Sequence, residues 1–415
     1  MNKWEYKTLD QMGSVQRGRS KHRPRNDARL FGGQYPFIQT ADVKNAPFYI
    51  SEYTETYNEM GLAQSKLWDI GTLCITIAAN IADTGILAIP ACFPDSVLGF
   101  RAYDDISDVR FVKYCFDILQ KDCKQISQGT AQDNLSWEKL STIKFPCPSI
   151  EEQQKIADVL SAYDDLIENN RKQIKLLEEA AQRLYKEWFI DLRFPGHETT
   201  PIVNGIPDGW ERKTVEEFLI FHANGGWGKE TSMGKCVNIG KVIRGTDIDP
   251  IKQSGNVDNI PIRYHSELDI KNKKLLPNDI VFELSNGNLN NIGRSLLINT
   301  PLLEQCGMDT ICASFCKLLR AKNRFHAILL FMEIQDMQSS GRMLPFKKHG
   351  ANGINNFDFE AFLSHSLLYS NNADLLCHID AIIQKIDILR LNIKNAIEAR
   401  DRLLPKLITG ELEVK

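Results

Sequence analysis

Apolar residues recur at steps of four and three along one long segment in the middle of the chain, from Ser149 to Phe189. This spacing is typical of a coiled-coil seam rather than of a helix lying on a globular core. Pro146 and Pro148 stop any earlier helix, and Ser149 with Glu152 indicates a capping box. The pattern predicts one long helix whose seam needs a partner. The seam residues are Ile156, Leu160, Tyr163, Ile167, Asn170, Ile174, Leu177, Ala181, Leu184 and Trp188.

The same spacing returns at the C-terminal end of the chain, from Asp374 to Leu407. Glu179–Leu184 matches Glu398–Leu403 at an offset of 219 residues, and the seam positions coincide at the same offset. We therefore predict that the two helices are copies within an internal duplication and pair antiparallel. The second seam is Leu375, Ile379, Ile382, Ile386, Leu389, Ile393, Ala396, Arg400, Leu403 and Leu407.

Asn170 interrupts the first seam at its midpoint, where the second seam has Leu389. A polar residue at such a position can fix the register of a helix pair at a cost in stability. The alternative is that Asn170 faces water or a partner subunit at the edge of the pair. The sequence leaves both interpretations open.

Each long helix follows a block of short strand-like runs, short amphipathic helices and polar loops. Trp4–Leu9 matches Trp210–Val215 at an offset of 206, and Phe37–Val43 matches Val242–Ile248 at an offset of 205. The loops between these pieces differ, as expected of two recognition modules on one scaffold. We predict an α+β protein with two mixed α/β domains, a long antiparallel two-helix coiled coil and a pseudo-two-fold duplication. The predicted segments are 1–148 and 194–372 for the domains, 149–193 for the central helix and 373–415 for the distal helix.

Length predicts two or more domains, and the overall charge does not exclude nucleic-acid binding through local patches. The 415 residues exceed one compact core. The net charge of −3 argues against a uniformly basic surface, yet residues 17–25 hold five bases and no acid. No apolar run can span a membrane and no signal segment opens the sequence, so we expect a cytoplasmic protein. The ten cysteines form no Cys-x-x-Cys pair, which favours reduced thiols over a metal site.

Polar loops in both blocks carry the side chains that we expect to bind phosphates or read base edges. In the first block these are Arg17, Arg19, Lys21, Arg23, Arg25 and Gln39. In the second block they are Asn224, Trp227, Lys229, Arg244, Asn286, Asn288, Asn290, Asn291, Arg294, Lys347 and Lys348, with His349 beside them. The alternative for each is an ordinary solvated loop, and for Trp227 a buried structural position.

The sequence contains no complete catalytic motif. Gly225–Glu230 resembles a phosphate-binding loop, but Ala223 and Glu230 replace the glycine and the serine or threonine that such a loop needs. No Asn-Pro-Pro-aromatic methyltransferase motif occurs, and Asp279 with Glu283 lacks the lysine of an acidic nuclease core. The histidines lie at no metal-ligand spacing. We therefore predict no catalytic and no metal-binding residue.

The order of these features resembles the DNA-sequence specificity subunits of type I restriction-modification systems. A block that opens on Trp-Glu leads to the helix start Pro146–Ala157 (Pro-x-Pro-x-x-Glu-Glu-Gln-x-x-Ile-Ala) and a long helix, and block and helix then repeat. The closing Leu403–Leu412 also resembles this family, and the resemblance covers essentially the whole chain. One departure is that the second helix start, Ser370–Asp374, lacks the Pro-x-x-Glu-Glu-Gln pattern.

The resemblance implies two target-recognition domains that each read half of a bipartite, asymmetric DNA site, with the helix pair setting the spacer. It implies a subunit without catalysis, which docks two methyltransferase subunits and, through them, restriction and translocase subunits. S-adenosylmethionine, ATP and Mg²⁺ would act in those partners, and no cofactor would bind this chain. Two other classes stay open: a stand-alone enzyme with undetected motifs, and a coiled-coil scaffold whose blocks bind proteins.

Overall fold

A computed structural model describes residues 4–77, 82–126, 137–350 and 353–414. The chain divides into two compact units, which we call the first unit (Met1–Glu168 with Ala396–Lys415) and the second unit (Asn169–Asn395). Each unit combines one of the two blocks with parts of both long helices.

The first block is built of short strands and short helices. Its strands are β1 (Glu5–Thr8), β2 (Gly13–Arg17), β3 (Phe31–Phe37), β4 (Tyr49–Ile50), β5 (Glu55–Tyr57), β6 (Leu67–Trp68), β7 (Leu73–Thr76), β8 (Thr84–Leu87), β9 (Ala91–Cys92), β10 (Val97–Ala102) and β11 (Lys144–Cys147). Its helices are α1 (Leu9–Met12), α2 (Thr40–Asn45), α3 (Glu59–Ala63), α4 (Val109–Ile126) and α5 (Trp137–Leu140), and the long α6 (Ile150–Tyr185) follows.

The second block repeats this order with additions. Its strands are β12 (Ile202–Val203), β13 (Ile206–Pro207), β14 (Trp210–Thr214), β15 (Leu219–Asn224), β16 (Cys236–Ile243), β17 (Ile262–Ser266), β18 (Asp279–Glu283), β19 (Ser285–Asn286), β20 (Ser295–Leu297), β21 (Thr310–Cys312), β22 (Cys316–Ala321), β23 (Lys347–Lys348), β24 (Asn355–Phe357) and β25 (Ser366–Ser370). Its helices are α7 (Val215–Phe218), α8 (Gly245–Ser254), α9 (Glu267–Lys273), α10 (Thr300–Cys306), α11 (Arg324–Ser340) and α12 (Phe359–Leu363), and the long α13 (Ala373–Ile408) closes the chain.

The two blocks share one sheet topology, which confirms the predicted duplication. The pair β1-β11 corresponds to β14-β25, and the sheet β2-β10-β7-β8-β4 corresponds to β15-β22-β18-β20. In the remaining shared sheets, β3 lies between antiparallel β5 and parallel β9, as β16 lies between antiparallel β17 and parallel β21. The sheet β19-β24-β23 is an addition of the second block.

The long helices α6 and α13 have 36 residues each, which corresponds to about 54 Å at about 1.5 Å per residue. In the second unit Glu178 forms an ion pair with Arg390 at 2.8 Å. Trp188, in the π-helical turn Lys186–Ile190 that follows α6, faces His378, which precedes Arg390 on α13, with the ring centroids 6.0 Å apart. The two helices therefore run antiparallel, as predicted.

The buried faces of the helices follow the predicted seams in part. Leu160, Ile167, Ile174, Ile379, Ile386, Leu389 and Ile393 are buried, and so is Asn170, while Leu177 is half-buried. At four places the residue after the predicted one is buried instead: Asp164, Tyr185, Ile383 and Leu404 are buried, and Tyr163, Leu184, Ile382 and Leu403 are half-buried. These helix ends also pack against the cores of the blocks, so the buried face is wider there than a strict heptad seam.

Gln153, within the Pro-x-x-Glu-Glu-Gln pattern, explains why the first helix starts where it does. Its fully buried amide donates to the carbonyl oxygens of Ile106 and Pro148, both at 2.9 Å, and its Oε1 accepts from the Asp108 N–H at 3.1 Å. The Glu152 N–H donates to Ser149 Oγ at 3.3 Å, which is the capping contact expected from the sequence. The start of α6 is thus anchored to the first block by satisfied buried polar groups.

Candidate nucleic-acid interface

The first unit brings two of the predicted contact regions together at one cleft of about 740 Å³. Arg25 and Asn26 come from the basic loop, and Gln39 stands at the start of α2. Gly32 and Glu55 on β3 and β5 complete this polar side of the cleft. The cleft therefore combines a cation, amides and a carboxylate that can bind hydrogen-bonding groups.

In the basic loop at residues 17–25, some cationic side chains have internal partners and others are exposed without an ion pair among the described residues. Arg25 forms an ion pair with Asp95 at 2.7 Å, and Arg23 donates to the carbonyl oxygen of Ser20 at 2.8 Å. The side chains of Arg17, Arg19 and Lys21 are exposed and form no ion pair with any described residue. The loop itself is held by backbone contacts: the N–H groups of Lys21 and His22 donate to Gln64 Oε1 at 2.6 and 3.0 Å. A fixed loop that carries such cations is suited to bind phosphates.

Gln39 and Arg244 are equivalent positions in the two blocks, as the sequence predicted. Each is the residue that caps a helix, α2 or α8, and its N–H donates to an aspartate three residues later, Asp42 at 2.7 Å or Asp247 at 2.8 Å. The Gln39 amide also donates to Glu55 at 2.7 Å. The Arg244 guanidinium binds Asp247 at 2.7 Å, and this hydrogen bond raises the pKa of Arg244. Both side chains are thus held by internal partners, and Gln39 also lines the cleft of the first unit.

Two polar regions that are about sixty residues apart in the sequence meet in the second unit. The amide-rich loop lies beside Lys347 and Lys348 because β19 and β23 both pair with β24. Lys347 Nζ donates to the Leu289 carbonyl oxygen at 3.2 Å, and Asn355 Nδ2 donates to that of Gly287 at 3.0 Å. Lys348 forms an ion pair with Asp358 at 2.5 Å.

The exposed amides of this sheet edge can pair with base edges. Asn288 and Asn290 are exposed, and Asn286 and Asn291 are half-buried. Sequence reasoning missed Asn355 and Asn356, which β24 places in the same sheet. Their proximity to Asn286 follows from strand pairing across about seventy residues, which no local pattern shows.

Arg294 was predicted to contact DNA, but the structure gives it an internal role. Its side chain is only 17% exposed and binds Glu283 at 2.9 Å, Asp249, and the Gly245 carbonyl oxygen at 3.0 Å. Burial opposes its charge, yet the hydrogen bonds with Glu283 and Asp249 outweigh it and raise the pKa of Arg294. Because Glu283 also accepts from Asn286 Nδ2 at 2.7 Å, Arg294 positions the amide-rich loop.

Trp227 is 40% exposed, so the buried alternative for it is wrong. The Arg263 guanidinium lies over its ring, 4.8 Å from the centroid, in a cation–π contact. The neighbouring Lys229 is exposed. Asn224 Oδ1 accepts from Lys317 Nζ at 3.0 Å, and burial lowers the pKa of Lys317.

Cations, amides and an exposed aromatic ring on loops of a rigid frame are the groups that proteins use to bind nucleic acids. Among the described residues, no group of three or more histidine, cysteine, aspartate or glutamate side chains is arranged to hold a metal ion. No described helix combines the length and the apolar character needed to cross a bilayer.

Comparison with known proteins points to one family. The family model described as "Type I restriction modification DNA specificity domain" matches residues 1–179. The specificity subunit of the type I restriction enzyme MjaIX from Methanocaldococcus jannaschii is 26% identical over 431 aligned residues, which cover 99% of this chain and 94% of that protein. The EcoR124I/EcoR124II specificity subunit of Escherichia coli is 24% identical over 200 residues, 46% of this chain and 48% of that protein.

A solved structure shares the fold. The S subunit of a type I restriction-modification system from M. genitalium aligns with a TM-score of 0.55 and 15% sequence identity. The alignment covers 98% of this chain and 97% of that chain. Residues 1–179 thus match the specificity domain of type I restriction-modification systems, and over nearly its whole length the chain is similar to a specificity subunit of such a system.

Proposed function

We propose that this chain reads a bipartite, asymmetric DNA site, with one half-site bound by each block. The observation that carries the proposal is a duplicated frame with dissimilar polar loops. The first block presents the basic loop of residues 17–25, and the matched region of the second block presents Trp227 and Lys229. Two identical readers related by a two-fold axis would select a palindrome, whereas two different readers select an asymmetric site.

In this proposal the pair of long helices sets the number of base pairs between the half-sites. Half-sites one helical turn apart on one face of DNA are separated by about 34 Å, which is less than the length of either helix. Buried polar contacts between α6 and α13, such as Asp164–Arg400, favour one register of the pair.

The chain itself is proposed to act without catalysis, in the cytoplasm, within a larger complex. Two methyltransferase subunits would dock on it, and restriction and translocase subunits would join through them. S-adenosylmethionine, ATP and Mg²⁺ would then serve those partners. The support for this part is the similarity of the chain to specificity subunits.

Selection from random duplexes by the chain with its methyltransferase subunits tests the proposal. We expect one split motif, with two specified half-sites and an unspecified gap of constant length. A single contiguous motif would contradict the reading by two blocks. Failure to bind any duplex at low salt, where phosphate contacts are strongest, would favour a protein-binding scaffold instead.

A charge variant connects the same experiment to the basic loop. Replacement of Arg17, Arg19 and Lys21 by alanine should weaken binding to all duplexes alike. It should also reduce the slope of the logarithm of the binding constant against the logarithm of the salt concentration, by about one for each lost phosphate contact. The control is Arg183→Ala on α6, whose side chain is 80% exposed. Equal binding and equal salt dependence of the triple variant and the control would remove the basic loop from the interface.

A further inference from the structure

Strands β16 and β17 of the second unit expose an apolar face. Val237 and Ile239 on β16 are 60% and 48% exposed, and Ile262 on β17 is 43% exposed. Ile239 and Ile262 lie on one side of the sheet, because Ile262 pairs with Lys241, which follows Ile239 by two residues; Val237 is exposed at the register shift between Cys236 and Asn238. The other side of the same strands is covered, as the buried His265 shows.

Two exposed lysines border this apolar face. Lys229, which bridges to β17 through two backbone hydrogen bonds of 2.9 Å, is exposed, and so is Lys235 just before β16. On the other side of the sheet, with His265, Arg263 stacks over Trp227 at 4.8 Å, and Glu230 lies 3.4 Å from the same guanidinium. A strip of aliphatic side chains with cations at its border suits the edge of a base pair flanked by phosphates.

The first unit has the same face with different chemistry. At the offset of 205 residues, and through the matched strand pairing, Val237, Ile239 and Ile262 correspond to Gly32, Gln34 and Thr56. Gly32 and Gln34 are exposed like their counterparts, and Gly32 lines the cleft that holds Arg25 and Gln39. The face that borders the candidate site in the first block is therefore polar, whereas its counterpart in the second block is aliphatic.

We propose that β16 and β17 enter the major groove and that Val237, Ile239 and Ile262 contact thymine methyl groups in one half-site. This inference rests on the proposed function and adds the chemistry by which the second block reads its bases. The major groove admits a two-stranded β-ribbon, and the C5-methyl group of thymine is displayed there.

The spacing and the size of the face both favour bases over a protein partner. Side chains two residues apart on a strand are separated by about 6.8 Å, close to two base-pair steps of about 3.4 Å. A stable protein interface buries about 800 Å² on each partner, which three aliphatic side chains do not supply. Thymine methyl groups need only small apolar contacts of this kind.

The test uses the complex with methyltransferase subunits and a duplex of the selected site. Deoxyuridine replaces thymidine in one half-site at a time, which removes only the C5-methyl group. We expect binding to fall about fourfold for each methyl group that loses its contact. The double variant Val237→Ser and Ile239→Ser removes the methyl groups of both side chains and should no longer respond to deoxyuridine in the half-site of the second block.

The control variant is Ile202→Ser on β12, which changes another exposed aliphatic side chain of the same block, 53% exposed. It should retain the full deoxyuridine effect, and the double variant should retain any effect in the other half-site. Equal sensitivity of the wild type and the double variant, or no sensitivity in the wild type, would overturn the thymine assignment and leave the bipartite reading intact. A wild-type complex that selects no split site would contradict the proposed function and this inference with it.

Discussion

The two units bury different chemistry at matched positions of the long helices. In the first unit Asp164 of α6 forms an ion pair with Arg400 of α13 and accepts a hydrogen bond from Tyr114 Oη at 2.5 Å. Burial and the neighbouring carboxylate raise the pKa of Tyr114, so its hydroxyl stays protonated and donates. At the offset of 219 residues the second unit has Ile383 in place of Asp164 and Ala181 in place of Arg400.

The second unit places its buried charge on the block instead. Tyr185 of α6 donates to Glu333 of α11 at 2.7 Å. In the second unit the tyrosine is therefore on the long helix and the carboxylate on the block, whereas in the first unit the tyrosine is on the block and the carboxylate on the long helix. Ala181 and Ile383 line a cavity of about 520 Å³, where the first unit has the long side chain of Arg400. A duplicated frame thus keeps a tyrosine–carboxylate hydrogen bond in both units, but only the first unit has a buried ion pair at this position.

This difference has an energetic consequence. A buried ion pair contributes little net stability against an apolar pair of the same shape, but the loss of one partner leaves an uncompensated buried charge. A shift in the register of the helices would separate Asp164 from Arg400 and leave their buried charges without partners. Such a shift therefore costs more free energy in the first unit than at the apolar pair of the second unit. We infer that the first unit defines the alignment of α6 and α13 more strictly than the second.

The largest expected effect follows from removal of Arg400. Arg400→Ala leaves Asp164, whose side chain is only 5% exposed, without its cation, and should destabilise the first unit by roughly 3–5 kcal/mol. Urea unfolding combined with hydrogen exchange of α4 measures the change in that unit. The control is Arg402→Ala two residues away, which is 83% exposed and should change stability by less than about 0.5 kcal/mol.

A double variant sharpens the same comparison. Asp164→Ile with Arg400→Ala copies the apolar pair of the second unit into the first and should recover most of the lost stability. Tyr114 keeps its hydroxyl in this variant, so a Tyr114→Phe version tests whether the remaining loss comes from that group. No recovery in either version would show that the ion pair contributes stability beyond the compensation of a buried charge.

The second expected effect concerns pH and the second unit. Burial alone would raise the pKa of Glu333, but hydrogen bonds from His365, Arg342 and Tyr185 outweigh it and lower the pKa to about 2 from 4.5. A depressed carboxylate pKa stabilises the fold fully above pH 4.5, by about 3 kcal/mol, and this stability is lost as pH falls toward 2. Glu333→Gln should remove this stabilisation at pH 7. The free energy of unfolding of the variant should then depend less on pH between 4.5 and 2 than that of the wild type.

The measurement is the stability of α11 by hydrogen exchange from pH 7 down to the acid transition. Glu267→Gln on α9 is the control, because its side chain is exposed and should leave the profile unchanged. An unchanged acid limb in Glu333→Gln would show that other carboxylates dominate the acid transition of the second unit.

The long helices and the duplication could be predicted because their signals are local or repeated. The heptad spacing and the offset of 219 residues depend on nothing beyond the sequence itself. The sequence did not predict that Asp164 is buried, because an aspartate next to the seam residue Tyr163 is expected to face solvent. Its partners Tyr114 and Arg400 are 50 and 236 residues away, so only the folded chain shows why a charge is tolerated there.

The candidate site shows the same limit. Polar composition selected the amide-rich loop and Lys347, and strand pairing explains why they lie together. Composition could not separate surface cations from internal ones: Arg294 lies among asparagines in the sequence, but Glu283 and Asp249 bind it inside the unit. Whether a polar side chain is exposed depends on long-range pairing, which a loop sequence does not encode by itself.

The smallest expected effect concerns Asn170, the polar residue in the first seam, whose counterpart in the second seam is Leu389. Asn170 is 3% exposed, and its Nδ2 finds no hydrogen-bond partner among the residues that the structure describes. A buried unpaired amide costs about 1–3 kcal/mol, so Asn170→Leu should stabilise the helix pair by about 1 kcal/mol while weakening the preference for one register. The adjacent Asn169 is exposed, and Asn169→Leu is the matched control, expected to be nearly neutral. Thermal unfolding of the two variants measures the difference, and a lower stability of Asn170→Leu than of the control would show that Asn170 does not stand in the seam.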